Sequence, residues 1–153
     1  MPNVSITIRP AEHGDLQAVT RLLTAAHLPS DGLDEQFGPS YAIAESEGAV
    51  VGAEGIECYG SAGLLRSAVV LDAWRGKGIG EMLTRDRLAW ARETGLVEVW
   101  LLTTTAADYF PRFGFALADR AAAPPAVQAS REFAEACPAS AVAMRLSLTP
   151  DTA

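Results

Sequence analysis

The chain has 153 residues, 49 % hydrophobic and 20 % charged, which suits one globular domain that buries about two-thirds of its unfolded surface. A formal net charge of −7 argues against nucleic acid or an anionic membrane as the main partner. It leaves an anionic small molecule open, because the charge inside a cleft can oppose the global sign.

No apolar run approaches the roughly 20 residues that cross a bilayer. The first residues lack the basic and apolar regions of a signal peptide, so cytoplasmic residence is the expectation. Cys58 and Cys137 have neither CxxC nor His spacing nearby. Both read as buried thiols, and no metal site is expected.

Val4 to Arg9 alternates apolar and polar residues, the period of a half-buried strand, and Pro10 ends it. Asp15 is placed to cap a helix with Leu16, Val19, Leu22 or Leu23 and Ala26 on one face. Residues 29–32 break that helix, and a short second one fits Leu33 to Phe37. Tyr41 to Glu45 and Ala49 to Tyr59 read as strands joined around Glu47-Gly48.

The next stretch, Leu65 to Gly80, is a strand entering a glycine-rich turn from which a helix leaves. That helix runs through Glu93 with an expected stripe of Ile79, Met82, Leu83, Ala89 and Trp90, interrupted by Asp86. Gly95 is its natural C-terminal stop. Val97 to Leu102 has the continuous apolar character of a buried central strand.

A short helix then leads toward Phe113-Gly-Phe115, and a strand is expected over Phe115 to Ala118. The Ala/Pro-rich connector from Arg120 to Pro125 precedes a helical pattern from Val127 to Ala136, stopped by Cys137-Pro138. Ala141 to Leu148 is the last strand. Three consecutive strands before the glycine turn argue against a doubly wound parallel sheet and for a mixed α/β sheet with helices on its faces. Residues 1–149 read as a single domain and residues 150–153 as a loose tail.

Arg75-Gly-Lys-Gly-Ile-Gly80 is neither a P-loop nor a dinucleotide fingerprint. It offers backbone N–H groups, a helix N-terminus and two cations, Arg75 and Lys77, which suit a diphosphate. The competing reading is a tight turn whose glycines supply positive φ.

The turn resembles the R-x-x-G-x-G/A motif of the GNAT superfamily of N-acetyltransferases, with Arg75, Gly78 and Gly80 at its defined positions. Residues 9–15 look like that superfamily's first strand-to-helix junction, and Tyr109 to Phe115 like its late helix ending in Gly-Phe. More narrowly, Leu64-Leu-Arg-Ser67, Leu101 to Ala107 and Cys137 to Ala141 resemble the group associated with arsenic-resistance operons. The Leu-Thr-Thr…Phe…Gly-Phe run is also similar to N-acetylglutamate synthase domains.

The resemblance implies a mixed sheet of about six or seven strands, with the fourth and fifth splayed apart. It implies acetyl-CoA along the fourth strand, with pantetheine on the backbone of Ala68, Val69 and Val70. The diphosphate would lie on the N–H groups of Gly76, Lys77, Gly78, Ile79 and Gly80, beside Arg75.

The superfamily's usual base aligns with Leu64 and its usual late-helix tyrosine with Phe110, so both common catalytic positions are apolar. Tyr109 is one residue away, about 100° around a helix, and is not promoted. The substitute base is Glu57, whose alternative is a solvated strand-end carboxylate. Arg66 shares a strand face with Leu64 and needs an anionic partner, either Glu57 or a substrate anion bound bidentately, with substrate favoured.

Thr103, Thr104 and Ser140 are candidates for lining the acceptor pocket, although threonines there also suit a helix cap. The expected activity is acetyl transfer to a small, anionic, amino-acid-like amine, with arsenic-containing or phosphinic amino acids as a special case of the resemblance. The alternatives are a non-catalytic module sensing a metabolite or metalloid, and a protein N-acetyltransferase. A homodimer is compatible with either.

Overall fold

Residues 5–28, 30, 32–104, 106–130, 133–134 and 141–148 are described by a computed structural model. The strands are β1 (Thr7–Pro10), β2 (Tyr41–Ser46), β3 (Ala49–Tyr59), β4 (Ala62–Val70), β5 (Glu98–Thr103), β6 (Ala116–Ala118) and β7 (Val142–Ser147). They form one mixed sheet in the order β1-β2-β3-β4-β5-β7-β6. The helices are α1 (Leu16–Ala25), α2 (Leu33–Gln36), α3 (Ile79–Glu93) and α4 (Pro125–Gln128).

The β2–β3 hairpin turns through Glu47 (φ 51°) and Gly48 (φ 83°), both left-handed, as a two-residue hairpin loop requires. β1 begins later than the alternation suggested and includes Pro10. The strand lies at the edge of the sheet, where a missing N–H is tolerated. Asp15 precedes α1, but its carboxylate does not cap that helix. It accepts from the Glu12 N–H at 2.8 Å and pairs with Arg9 at 2.8 Å, which also reaches Glu45. Arg9 thereby ties β1, β2 and the entry to α1 together.

α1 and α2 cover one face with Val19, Leu22, Leu23 and Leu33 against Tyr41, Ile43, Ala53 and Val69. On the other face α3 lays Ile79 and Leu83 on Ala42, Ala44 and Val51, and Leu88 and Ala91 on Ile56, Val99 and Leu101. The α3 stripe differs from the expected one. Met82 (41 %) and Ala89 are exposed, whereas Thr84 and Arg87 are buried. The helix is rotated so that Thr84 meets the carboxylate of Glu54 and Arg87 reaches the Pro39 carbonyl at 2.8 Å. Two polar partners inside the fold outweigh two apolar side chains that the pattern would have buried.

Of the late helix expected from Val127 to Ala136, α4 shows Pro125–Gln128, and positions 131–132 and 135–140, with Cys137 and Ser140, lie outside the described residues. Before it, the predicted helix toward Phe113 is a 3-10 turn over Phe110–Phe113.

β4 is central to the sheet. It pairs with β3 almost throughout, from Tyr59↔Ala62 to Gly52↔Val70. It pairs with β5 in parallel only at Ala62, Gly63 and Leu64. Beyond Leu64 the two strands diverge, and the β5-facing edge of β4 is left open to its end.

A bulge in β4 opposite Ala53/Gly55, with Ser67 at φ 60°, bends the strand at the point of divergence. Gly55 faces the fully buried Tyr41 ring: a Cβ there would fall 2.2 Å from two ring carbons. Gly55→Ala is therefore expected to cost about 1–3 kcal/mol of stability, read from the denaturant midpoint at unchanged slope.

Candidate active site

The glycine turn joins the open edge of β4 to α3. Gly76 (φ 81°) and Gly78 (φ 80°) occupy left-handed backbone that a side chain would strain, and Gly78 immediately precedes the first turn of α3. Arg75, Gly76, Lys77 and Gly78 are all exposed. The Arg75 guanidinium bends back to the Val70 carbonyl at 3.4 Å and pairs with exposed Asp72 at 3.3 Å.

A cleft of about 530 Å³ follows this turn. Ala68, Val69 and Val70 form its strand wall, and Arg75, Gly76, Gly78, Ile79 and Gly80 form its floor. Of the residues expected to hold the cofactor, Lys77 alone does not line it. An unpaired strand edge leads into exposed N–H groups at the start of a 15-residue helix. That arrangement fits the amide-bearing arm and diphosphate of coenzyme A.

The same cleft recruits residues that sequence reasoning passed over: Leu28 from the end of α1, Trp74, Glu81, Tyr109 and Arg112. Tyr109 matters most chemically. A Cβ on Gly80 would lie 3.5 Å from its hydroxyl oxygen, so the phenol hangs directly over the glycine turn. The rotation argument against it assumed a regular helix through 109 and 110. In fact Tyr109 is the cap of the 3-10 turn, and Phe110 is turned into the core beside Phe115.

A signal was present in the sequence. Phe110, Phe113 and Phe115 are enough to fill an apolar corner, and the one aromatic with a hydroxyl is left to seek a polar, wetter edge. Burial raises the Tyr109 pKa, with a smaller contribution from the nearby Glu54 carboxyl, so the phenol stays protonated.

A second polar cluster lies across β3 and β4, around residues that were anticipated. Glu57 and Arg66 are both buried, with side chains 3 % and 0 % exposed, and they pair at 3.2 Å. The other Glu57 oxygen accepts from the Tyr59 hydroxyl at 2.7 Å, and Arg66 Nε donates to Ser67 Oγ at 3.1 Å. Burial first, and the carboxylate second, hold the Tyr59 hydroxyl protonated.

Glu57 is thus not a solvated strand end, and of the two partners considered for Arg66 the internal one is engaged. α2 closes over this end of β3. The Gln36 amide donates to the Cys58 carbonyl at 3.1 Å and accepts from the Cys58 N–H at 2.6 Å. Cys58 itself is half-buried, and burial pushes its thiol up.

Thr103 accepts from the Ala106 N–H at 2.9 Å, so it caps the turn that follows β5, and Thr104 is exposed. Ser140 lies outside the described residues. Among the described residues no group of three or more His, Cys, Asp or Glu is arranged to hold a metal, and no helix is long and apolar enough to cross a membrane.

These features agree with comparisons against known proteins. The sequence profile of the acetyltransferase (GNAT) domain matches residues 38–117, just over half of the chain. A search of curated proteins returns no match.

Three solved structures share the fold. N-acetylglutamate synthase from Neisseria gonorrhoeae, complexed with coenzyme A and N-acetyl-glutamate, superposes with a TM-score of 0.80 at 18 % identity, over 97 % of this chain and 36 % of that one. This chain therefore spans about a third of the synthase's length. A Mycobacterium tuberculosis protein in complex with CoA and the ligand NLQ superposes at 0.79, with 22 % identity over 94 % of this chain and 99 % of that one. A ribosomal-protein alanine N-acetyltransferase from Escherichia coli superposes at 0.73, with 17 % identity over 97 % and 99 %.

With the splayed β4, the glycine turn at the head of α3 and the matched profile together, the chain belongs to the acetyltransferase (GNAT) family.

Proposed function

We propose that the protein transfers the acetyl group of acetyl-CoA to the amine of a small, anionic, amino-acid-like molecule. The observation that carries the reading is the open edge of β4, which leads into the positive-φ turn at Gly76 and Gly78. The backbone of Ala68, Val69 and Val70 would hold the pantetheine arm. The N–H groups of Gly76 to Gly80, with Arg75 alongside and Lys77 at the rim, would hold the diphosphate. Fixing the thioester there turns a two-body reaction into an oriented encounter.

An acceptor amine is protonated in water, with a pKa near 10, and must lose a proton to attack. We assign that proton to Glu57, directly or through water, and what supports the reading is that Arg66 and Tyr59 hold its carboxylate in one orientation. With its guanidinium enclosed, Arg66 acts on the acceptor by way of Glu57. Tyr109 supplies the opposite need, a neutral phenol over the cleft that lends its proton to the departing sulfur. Glu57 takes the ammonium proton, the second nitrogen proton leaves to solvent as the amide forms, the phenol proton goes to the thiolate, and solvent returns Glu57 and Tyr109 to their starting forms.

An amino-acid acceptor is favoured by the solved neighbour that holds N-acetyl-glutamate. Arsenic-containing or phosphinic amino acids belong in the same class, given the resemblance carried by Leu64 to Ser67 and Leu101 to Ala107. Thr104, exposed at the end of β5, and Ser140 remain candidates for the acceptor side.

The test is release of free thiol from acetyl-CoA across an amine panel of acidic amino acids, phosphinic and arsenic analogues, neutral amino acids and peptide N-termini. Turnover with the anionic amino acids at least about tenfold above the peptides is expected, a difference of about 1.4 kcal/mol in transition-state binding. A best substrate among the peptides would make the protein an N-terminal acetyltransferase instead. Binding of acetyl-CoA with no turnover of any amine would leave a non-catalytic module.

A further inference from the structure

The cations around the glycine turn are not equivalent. Arg75 is already drawn to Asp72 at 3.3 Å and to the Val70 carbonyl at 3.4 Å. Glu81, an acidic side chain of the cleft wall, pairs with Arg85 at 3.8 Å, and Arg85 itself stays outside the cleft. Arg112 enters the same cleft from the 3-10 turn that follows β5. Among the described residues it has no carboxylate partner.

The Arg112 side chain is nevertheless held in place. Pro111 fixes φ at the residue before it, and Gly114 (φ 99°) ends the turn. Arg112 Nε donates to the Tyr109 carbonyl at 2.9 Å, and its Cζ lies 4.3 Å from the centroid of the Tyr109 ring. One nitrogen is thus used as an anchor, and the ring fixes the plane. The two terminal nitrogens have no hydrogen-bond partner among the described residues. Two N–H donors side by side on a fixed plane suit a phosphate, gripped bidentately.

We propose that Arg112 binds the phosphate monoester on the ribose of acetyl-CoA, and so selects this donor over acetyl-dephospho-CoA, which lacks that group. The inference rests on the reading of the cleft as the acetyl-CoA site. The donor carries two anionic groups, a diphosphate and the ribose monoester. The diphosphate is served by the N–H groups at the head of a 15-residue helix, with Arg75 alongside. The monoester, with about two negative charges near neutral pH, needs a cation of its own. A chain of net charge −7 repels it elsewhere, so the attraction has to be local. The acceptor does not compete for Arg112, because neither Glu57 nor Arg66 lines this cleft.

The affinities of the whole chain for acetyl-CoA and for acetyl-dephospho-CoA are measured calorimetrically in the wild type, Arg112→Gln, Arg112→Lys and Arg85→Gln. The wild type should bind acetyl-CoA about tenfold more tightly than the dephospho form, the worth of a charge-assisted contact. Arg112→Gln should lose that preference by weakening acetyl-CoA alone, and Arg112→Lys should keep part of it. Arg85→Gln removes the same charge from an exposed neighbour and should leave the preference unchanged.

Equal weakening of both donors in Arg112→Gln would put the residue on the diphosphate or in the fold, and would overturn the proposal. So would a wild type that does not tell the donors apart, or an Arg85→Gln variant that loses the preference too. The phosphorus resonance of the bound monoester gives a second readout. It titrates near about 6 in water, and it should titrate lower on the wild type than on Arg112→Gln. A resonance that titrates alike on both overturns the proposal even where affinities differ. If neither donor binds the wild type, the acetyl-CoA reading of the cleft falls and takes this inference with it. Equal binding of the two donors overturns the inference alone.

Discussion

Tyr109→Phe is expected to lower turnover about 10²- to 10³-fold at saturating acetyl-CoA while leaving the fold intact. The Tyr109 ring packs edge-on against Phe110 (centroids 5.2 Å apart, 80° between planes) and Phe113 (5.4 Å, 67°), and the Arg112 guanidinium lies 4.3 Å over its face. Phenylalanine keeps all three contacts, so the substitution removes one hydroxyl from the cleft and little else. The lost group is the proton donor proposed for the leaving sulfur, and the loss should fall on kcat. The KM for acetyl-CoA should rise no more than about tenfold, one hydrogen bond's worth.

Phe110→Tyr in the same background should not restore activity. Phe110 is 8 % exposed in the aromatic corner with Phe115 (centroids 5.8 Å), so a hydroxyl added there is buried away from the cleft. Thiol release under single-turnover conditions reads both variants. A Tyr109→Phe enzyme within twofold of wild type would remove Tyr109 from the reaction.

What made Tyr109 hard to find also marks where sequence reasoning worked. The Glu47-Gly48 hairpin, the three strands before the glycine turn and the start of α3 follow from local chemistry: a two-residue turn, apolar runs bounded by turn residues, and glycines where only positive φ fits. These short-range features also place Ala68 to Val70 and the glycines of the turn along the cleft.

The α3 stripe and the Tyr109/Phe110 choice depend instead on which side chains meet across the fold. Thr84 and Arg87 turn inward because Glu54 and the Pro39 carbonyl wait there, from β3 and from the loop before β2. No pattern within α3 announces either partner. Tyr109 swings to the cleft because a 3-10 turn replaces the assumed helix and changes the angle between neighbours. Glu54 offered one clue, a carboxylate inside the otherwise apolar run from Val50 to Ile56.

That carboxylate leads to the second large expected effect, on stability. Glu54→Gln should make the protein more stable at pH 7, by an amount on the order of 3 kcal/mol. In the unfolded chain Glu54 titrates near 4.3. In the folded chain burial raises its pKa to about 8. Between those values the native state holds a proton that the unfolded state has released. Stability therefore falls as pH rises through this window, by about 1.4 kcal/mol per unit, and levels off above it. Glutamine never ionises, so the variant escapes the whole decline.

The gain should shrink toward zero as pH approaches 4, where the wild-type carboxyl is neutral in both states. Denaturant midpoints at several pH values test this, and a gain that does not change with pH would show that packing rather than ionisation is responsible. Glu57→Gln is the internal contrast. Glu57 is buried to the same degree but paired with Arg66, so its loss leaves a buried guanidinium without this counter-charge and should cost about 3–5 kcal/mol. Two carboxyls three residues apart on one strand are thus expected to answer the same substitution with opposite signs, because one has a cation and the other has only a hydroxyl.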